Sequence, residues 1–117
     1  MFQVEIRDGM LVLRHEPWTR LLVGRARTSV PLAAIREVRL VPAPLAEARG
    51  LRRGLVVSGF LKVGVWTGLD GVKRLICARR APGVRIILHR RITGIDELVL
   101  SVGDAERLRA RIAGVSA

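Results

Sequence analysis

Leu98-Val99-Leu100-Ser101-Val102-Gly103-Asp104-Ala105-Glu106-Arg107-Leu108 is the stretch in which the chain changes its period. Up to Val102 the apolar residues recur mostly at every second position, which is the spacing of strands. After Asp104 they recur at spacings of three and four. Ala105, Leu108, Ile112 and Val115 then share one face of a helix. Asp104 suits the N-cap, because its carboxylate accepts from the free amides of the first turn. Glu106 falls where the helix dipole favours negative charge. Arg107, Arg109 and Arg111 lie elsewhere on the helix, and Gly114 suits its C-terminal stop. The stretch predicts a last strand over 98–102 and a helix over about 104–113.

Working back from there, the period stays near two. Phe2, Val4 and Ile6 alternate with polar residues and meet Asp8-Gly9, the dipeptide of a type I′ turn, whose central residues need positive φ. Met10 to Arg14 is the returning strand. Leu21 to Val30 alternates again and predicts a strand, as do Ile35 to Val41. Pro42 and Pro44 with the Arg49-Gly50-Leu51-Arg52-Arg53 run predict a loop over 43–54. Leu55 to Trp66 is rich in Val and Gly. Val72 to Arg79 and Val84 to His89 predict a hairpin about Ala81-Pro82-Gly83.

The whole chain has 117 residues, half of them hydrophobic, so it predicts one domain with its own core and excludes a disordered polycation. Lys and Arg together number 21 against 10 Asp and Glu, a formal net charge of +11. All but Lys62 and Lys73 of the basic residues are Arg, and Asn and Tyr are missing. That bias fits a GC-rich genome, so part of the charge is coding background. The remainder draws the chain to nucleic acid, anionic lipid or acidic protein. One cysteine excludes an intrachain disulfide framework and any zinc site of two or more thiolates. Residues 1–10 carry Glu5, Arg7 and Asp8 in place of an apolar signal core, and no run of about 20 apolar residues follows. The expected location is the cytoplasm, at most peripheral to the inner face of the membrane.

Three pieces carry a likeness: the Gly-rich run Gly54 to Phe60 leading to Val63-Gly64-Val65-Trp66-Thr67, the pair of strands about Pro82-Gly83, and the strand-to-helix passage at Leu98 to Leu108. Across roughly residues 50–113 the chain resembles small bacterial pleckstrin-homology-like (PH-like) domains of the actinobacterial type. The resemblance implies a mainly β fold: a barrel or orthogonal two-sheet sandwich of about seven antiparallel strands over 2–102, with one C-terminal helix capping an open end. The resemblance does not fix a function: some members resemble membrane-associated modules and some assemble as oligomers. With no set of catalytic residues in the chain, the expected role is a non-catalytic binding or scaffolding module. The first turn, Asp8-Gly9 between Arg7 and Arg14, is too short to wrap a phosphorylated headgroup, which argues against specific phosphoinositide binding.

Residues able to carry chemistry are few. Cys77 lies in the apolar run Leu75-Ile76-Cys77-Ala78 and is expected buried and inert. His15 and His89 end two different strands and lack metal-ligand spacing, so both are expected solvated. Asp96 and Glu97 are neighbours that point to opposite faces of a strand and cannot act on one bond. Gly64, Gly68 and Gly71 surround a turn without the helix a phosphate loop needs. Trp66 is either a core residue or, with Lys62, Lys73 and Arg74, an interfacial one.

The basic clusters remain: Arg49, Arg52 and Arg53; Arg79, Arg80 and Arg85; and Arg90 with Arg91. The second and third sit at opposite ends of one predicted strand and need not form one patch. They are a solvated surface or anion-binding groups. The site residues expected to meet an anion or partner are Arg49, Arg52, Arg53, Arg79, Arg80 and Arg85. No catalytic residue, metal site, cofactor or small-molecule substrate is expected. The expected partner is a protein or an anionic lipid surface, with self-association open. Nucleic acid is the alternative, weakened by the absence of an aromatic stacking motif around Phe2, Trp18, Phe60 and Trp66.

Overall fold

Asp8 and Gly9 both take positive φ, 51° and 73°. They fold β1 (Phe2–Arg7) back on β2 (Met10–His15), paired from Phe2 with His15 to Arg7 with Met10. A computed structural model describes the backbone of residues 1–116 and the side chains of residues 1–114; Val115 of the expected apolar helix face lies outside those side chains. β3 (Arg27–Pro31) adds to β2 and completes a three-stranded antiparallel sheet.

The strand expected from Leu21 onward is a helix, α1 (Pro17–Val23), at its start. Pro17 presets helical φ in the first turn, where no amide partner is needed. Gly24 ends the helix in the left-handed region, φ 80°, donating its N–H to the Arg20 carbonyl at 2.9 Å. Only Arg27 onward is strand.

A six-stranded sheet holds the rest: β4 (Ile35–Val41), β5 (Leu51–Val57), β6 (Leu61–Thr67), β7 (Lys73–Arg79), β8 (Gly83–Leu88) and β9 (Glu97–Ser101). Their order across the sheet is β4-β8-β9-β7-β6-β5. Three expectations are corrected here. The segment 43–54 is not all loop, because β5 begins at Leu51 and places Arg52 and Arg53 on a strand. β7 and β8 follow one another through Pro82 but form no hairpin, because β9 lies between them. Nor are the strands all antiparallel or about seven in number: the described residues form nine, and β9 runs parallel to β7 from Arg74 beside Glu97 to Cys77 beside Leu100. Both sheets are open, so no closed barrel forms.

The main core lies between the two sheets. Leu11, Leu13 and Val30 of the small sheet meet Val63, Leu75, Cys77, Val84, Ile86, Leu98 and Leu100 of the large one. α2 (Arg90–Thr93) is a single turn between β8 and β9. α3 (Ala105–Ser116) adds Leu108 and Ile112, so the C-terminal helix packs its predicted face inward. Asp104 caps it, accepting from the Arg107 N–H at 3.0 Å. A second cluster lies on the outer face of the large sheet. Trp66, Ile76, Ala78 and Val99 are covered there by Leu45 and Ala48, in and just after a 3-10 turn at 44–47. Trp66 is therefore a core residue, 3% exposed.

Gly54 and Gly64 face each other across β5 and β6. A Cβ on Gly64 would meet the Arg53 carbonyl oxygen and the Gly54 Cα, so only glycine allows the two strands this approach.

Candidate functional site: a basic cleft beside strand β5

The pairing register decides which side chains share a face. Leu51 is opposite Thr67, which is opposite Lys73; Arg53 is opposite Val65, which is opposite Leu75. Since alternate residues point to opposite faces, Leu51, Arg53, Val65, Thr67 and Lys73 all stand on the inner side of the large sheet. Arg52, one residue on from Leu51, is opposite Trp66 and belongs to the outer side.

The small sheet has three strands against six and leaves this end of the inner face open. α1 lies there over β5 and β6, with Val23 in the main core. The turn at Gly24 then brings Arg25 out of the helix beside the strands. The result is a cleft of about 600 Å³, with apolar walls from Val23, Leu51, Val65 and Ile95, with Arg25, Arg53 and Lys73 around it and with Arg52 of the edge strand at its rim.

No carboxylate lines the cleft, and none of its four cations makes an ion pair among the described residues. The carboxylate of Asp96 accepts from the Lys73 main-chain N–H at 2.7 Å, pairs with Arg90 at 3.3 Å, and stays outside the lining. Cations without a counter-charge beside partly apolar walls suit an anion that also carries apolar groups.

The other expected site residues go elsewhere. Arg49 borders a separate depression beside Arg74 and Asp70. Arg85 is held in a network on the outer face: its Nη1 is 3.5 Å from Glu47 and its Nε 3.4 Å from Glu97, which also holds Arg74 at 3.3 Å. It is a neutralised structural group. Arg79 and Arg80 stand at the far end of β7, bordering a depression with Pro42, Leu45 and Pro82. Arg79 also joins Arg107 and Arg111 around a second cleft of about 540 Å³, between the N-terminal strand and α3. Six residues of strand separate Lys73 from Arg79, roughly 20 Å at ~3.3 Å per residue. The basic groups therefore do not form one patch.

Arg25 and Lys73 are the cleft residues that sequence reasoning missed. The Glu16-Pro17 start and the Gly24 stop of α1 were the available signal for Arg25. Lys73 had none, because only the register of three strands brings it to Arg53.

The remaining chemical groups are structural. Cys77 is fully buried and its thiol is pushed up to about 12 by burial. His89 is exposed, but His15 is not: it is 2% exposed, which corrects the solvated reading. Its Nε2 lies 2.8 Å from the Thr28 hydroxyl, while its Nδ1 has no hydrogen-bond partner. Burial holds its pKa below the ordinary value, helped by the charges of Arg25, Arg20 and the N-terminus. Among the described residues no three His, Cys, Asp or Glu side chains gather as a metal site. No helix there is long and apolar enough to cross a membrane.

Fold and cleft together define a small, mainly β, two-sheet domain with a C-terminal helix and a cationic groove at one end of its large sheet. No family model matches the chain, no characterised protein matches its sequence, and no solved structure matches its fold.

Proposed function

We propose that this chain is a non-catalytic binding module for an anionic partner, an acidic protein or an anionic membrane surface, docked at the cleft beside β5. The observation that carries the reading is the set of Arg25, Arg52, Arg53 and Lys73 around apolar walls with no carboxylate among them. The likeness to PH-like modules adds a precedent for a binding role without chemistry. It rests on a strand series followed by a C-terminal helix, and the parallel pairing of β7 with β9 departs from the all-antiparallel plan.

Recognition in this reading is by charge and shallow apolar contact. Vesicles containing phosphatidylserine and vesicles containing phosphoinositide then bind equally well at equal surface charge. Binding weakens steeply as salt rises to physiological strength, where the Debye length is about 8 Å. Duplex DNA competes by the same mechanism and without sequence preference. The test is a titration of the parent, of Arg25→Ser/Arg52→Ser/Arg53→Ser, and of Arg79→Ser/Arg80→Ser against polyglutamate and anionic vesicles. The triple variant loses binding beyond what its lower net charge explains, and the double variant keeps most of it. Equal loss in both variants removes the cleft from the reading.

A further inference from the structure

β5 is the last strand of the large sheet, paired with β6 alone over seven residues without a register shift, bulge or proline. Its outward row of main-chain groups has no hydrogen-bond partner among the described residues beyond the turn bond from the Phe60 N–H to the Val57 carbonyl. α1 packs on β5 and β6, and among the described residues no strand pairs with the outward edge of β5. Leu51, Leu55 and Val57, which share the inner side, are 78%, 39% and 44% exposed. An edge of this kind is a template for another strand.

From this geometry we infer that β5 is a docking edge for an extended acidic segment of a partner protein, which adds to the sheet as a seventh strand. The inference rests on the anionic-partner reading and names the partner's chemistry. Main-chain pairing supplies affinity in such an addition, and alternate side chains supply selectivity. Here the required pattern follows from the register. Arg52 and Arg53 point to opposite faces, so the incoming strand offers two adjacent carboxylates, one to each side. Opposite Leu51, Leu55 and Val57 it offers apolar residues, and opposite Gly54 and Val56 small or polar ones. Arg25 and Lys73 stand over the inner side and add to the field on the inner carboxylate.

Charge decides against a second copy of this chain as the occupant. An antiparallel self-pairing centred on Gly54 would set Arg53 opposite Leu55 of the other copy and diagonal to its Arg53, like charges on one face, between molecules that each carry a net charge of +11.

The probe is a fluorescein-labelled peptide, Val-Thr-Val-Ser-Glu-Glu-Leu, written to lie antiparallel to Val57 through Leu51. Its binding is followed by fluorescence polarisation at low and physiological salt, beside a scrambled peptide of equal charge and polyglutamate. Two further versions are N-methylated at alternate amides, in the two possible phases. The expected result is tighter binding of the ordered peptide than of the scrambled one, loss of binding in one methylation phase and its retention in the other. Arg52→Ser/Arg53→Ser weakens the ordered peptide about tenfold at low salt. Leu55→Thr weakens it while leaving polyglutamate unchanged.

Equal binding of ordered, scrambled and both methylated peptides overturns the strand addition and leaves charge recognition standing. Anionic vesicles that bind while no peptide does also overturn it, in favour of a lipid surface. Failure of polyglutamate, vesicles and peptides alike overturns the anionic-partner reading itself. A dimer in sedimentation that the peptide disperses gives the edge to a second copy and overturns the acidic segment.

Discussion

At one edge of the large sheet β4 is packed by α3 and shifts register between Ile35 and Glu37, and its exposed Arg39 is paired with Glu37 at 2.7 Å. At the other edge β5 keeps an unbroken register and is exposed at six of its seven positions. Irregular pairing, charge of both signs and a covering helix are the usual means of stopping a sheet from growing. β4 has all three; β5 shares only the packed helix, α1, and carries Arg52 and Arg53 in place of mixed charge and an irregular register. Charge of one sign repels a second copy of the same chain but invites the opposite charge. If the proposed docking edge is right, stability resides at the α3 side and recognition at the β5 side.

Substitutions that insert a charge at each side test that separation most strongly. Leu108 is buried in the main core on α3. Leu108→Asp places a charge among apolar side chains and should cost about 4 kcal/mol or more. Leu51→Asp on β5 should stay within about 0.5 kcal/mol, since the side chain is already in water. Denaturant unfolding of both variants checks this, and equal costs would break the comparison.

The next effect in size concerns the join between β5 and β6. Gly64→Ala drives a Cβ into the Arg53 carbonyl oxygen at a φ of 147°, and should cost about 2–3 kcal/mol. It should also lower peptide binding, because it displaces the strand that carries Arg52 and Arg53. A stable variant with parental binding would show that the glycine pair does not set the position of β5.

His15 gives a smaller effect that depends on pH. Its pKa is depressed in the folded protein, so below its ordinary value near 6.5 the unfolded chain binds more protons than the folded one. Stability is then full above about pH 7 and falls as pH drops through 6.5, by at most about 1.4 kcal/mol per pH unit. Thermal unfolding between pH 7.5 and 5 measures the slope (pH values set by the ~6.5 reference). His15→Gln should flatten it, and an unchanged slope would assign it to other groups.

The smallest effect is at Cys77. Its thiol, pushed up to about 12 and shielded on the strand beside β9, should react with a maleimide only when the protein opens. Fast labelling of the folded protein would mean that the central strands are less tightly closed than the core packing implies.

Much of this was legible in the residues, and what was not has physical causes. Asp8-Gly9 and Asp104 act locally, through a turn and a cap, so their roles could be read without knowing the fold. α1 was hidden because Leu21, Val23 and the residues up to Val30 happen to alternate, and that pattern outweighed Glu16-Pro17. β5 was hidden because an exposed edge strand has no buried face to impose a period. β7, β8 and β9 were found as strands, but each is apolar enough to sit anywhere in a sheet, so nothing local told that β9 separates the other two. The same limit applies to the cleft. Arg52 and Arg53 were visible as a cluster, whereas Arg25 and Lys73 join them only through tertiary placement.

The insertion of β9 also has a consequence for how the protein is made. β5, β6 and β7 can pair as soon as they leave the ribosome, and so can β4 with β8, but the two groups have no direct partner in each other. The strand that joins them is the last of the nine to be synthesised. Until Glu97–Ser101 is in place, β7 and β8 each lack the partner that β9 supplies, and both carry apolar residues, Leu75 and Ile76 on β7 and Val84, Ile86, Ile87 and Leu88 on β8. Such pairing of distant segments is slow and leaves sticky surface exposed while it waits. A net charge of +11 opposes the association of such chains while those edges lack partners.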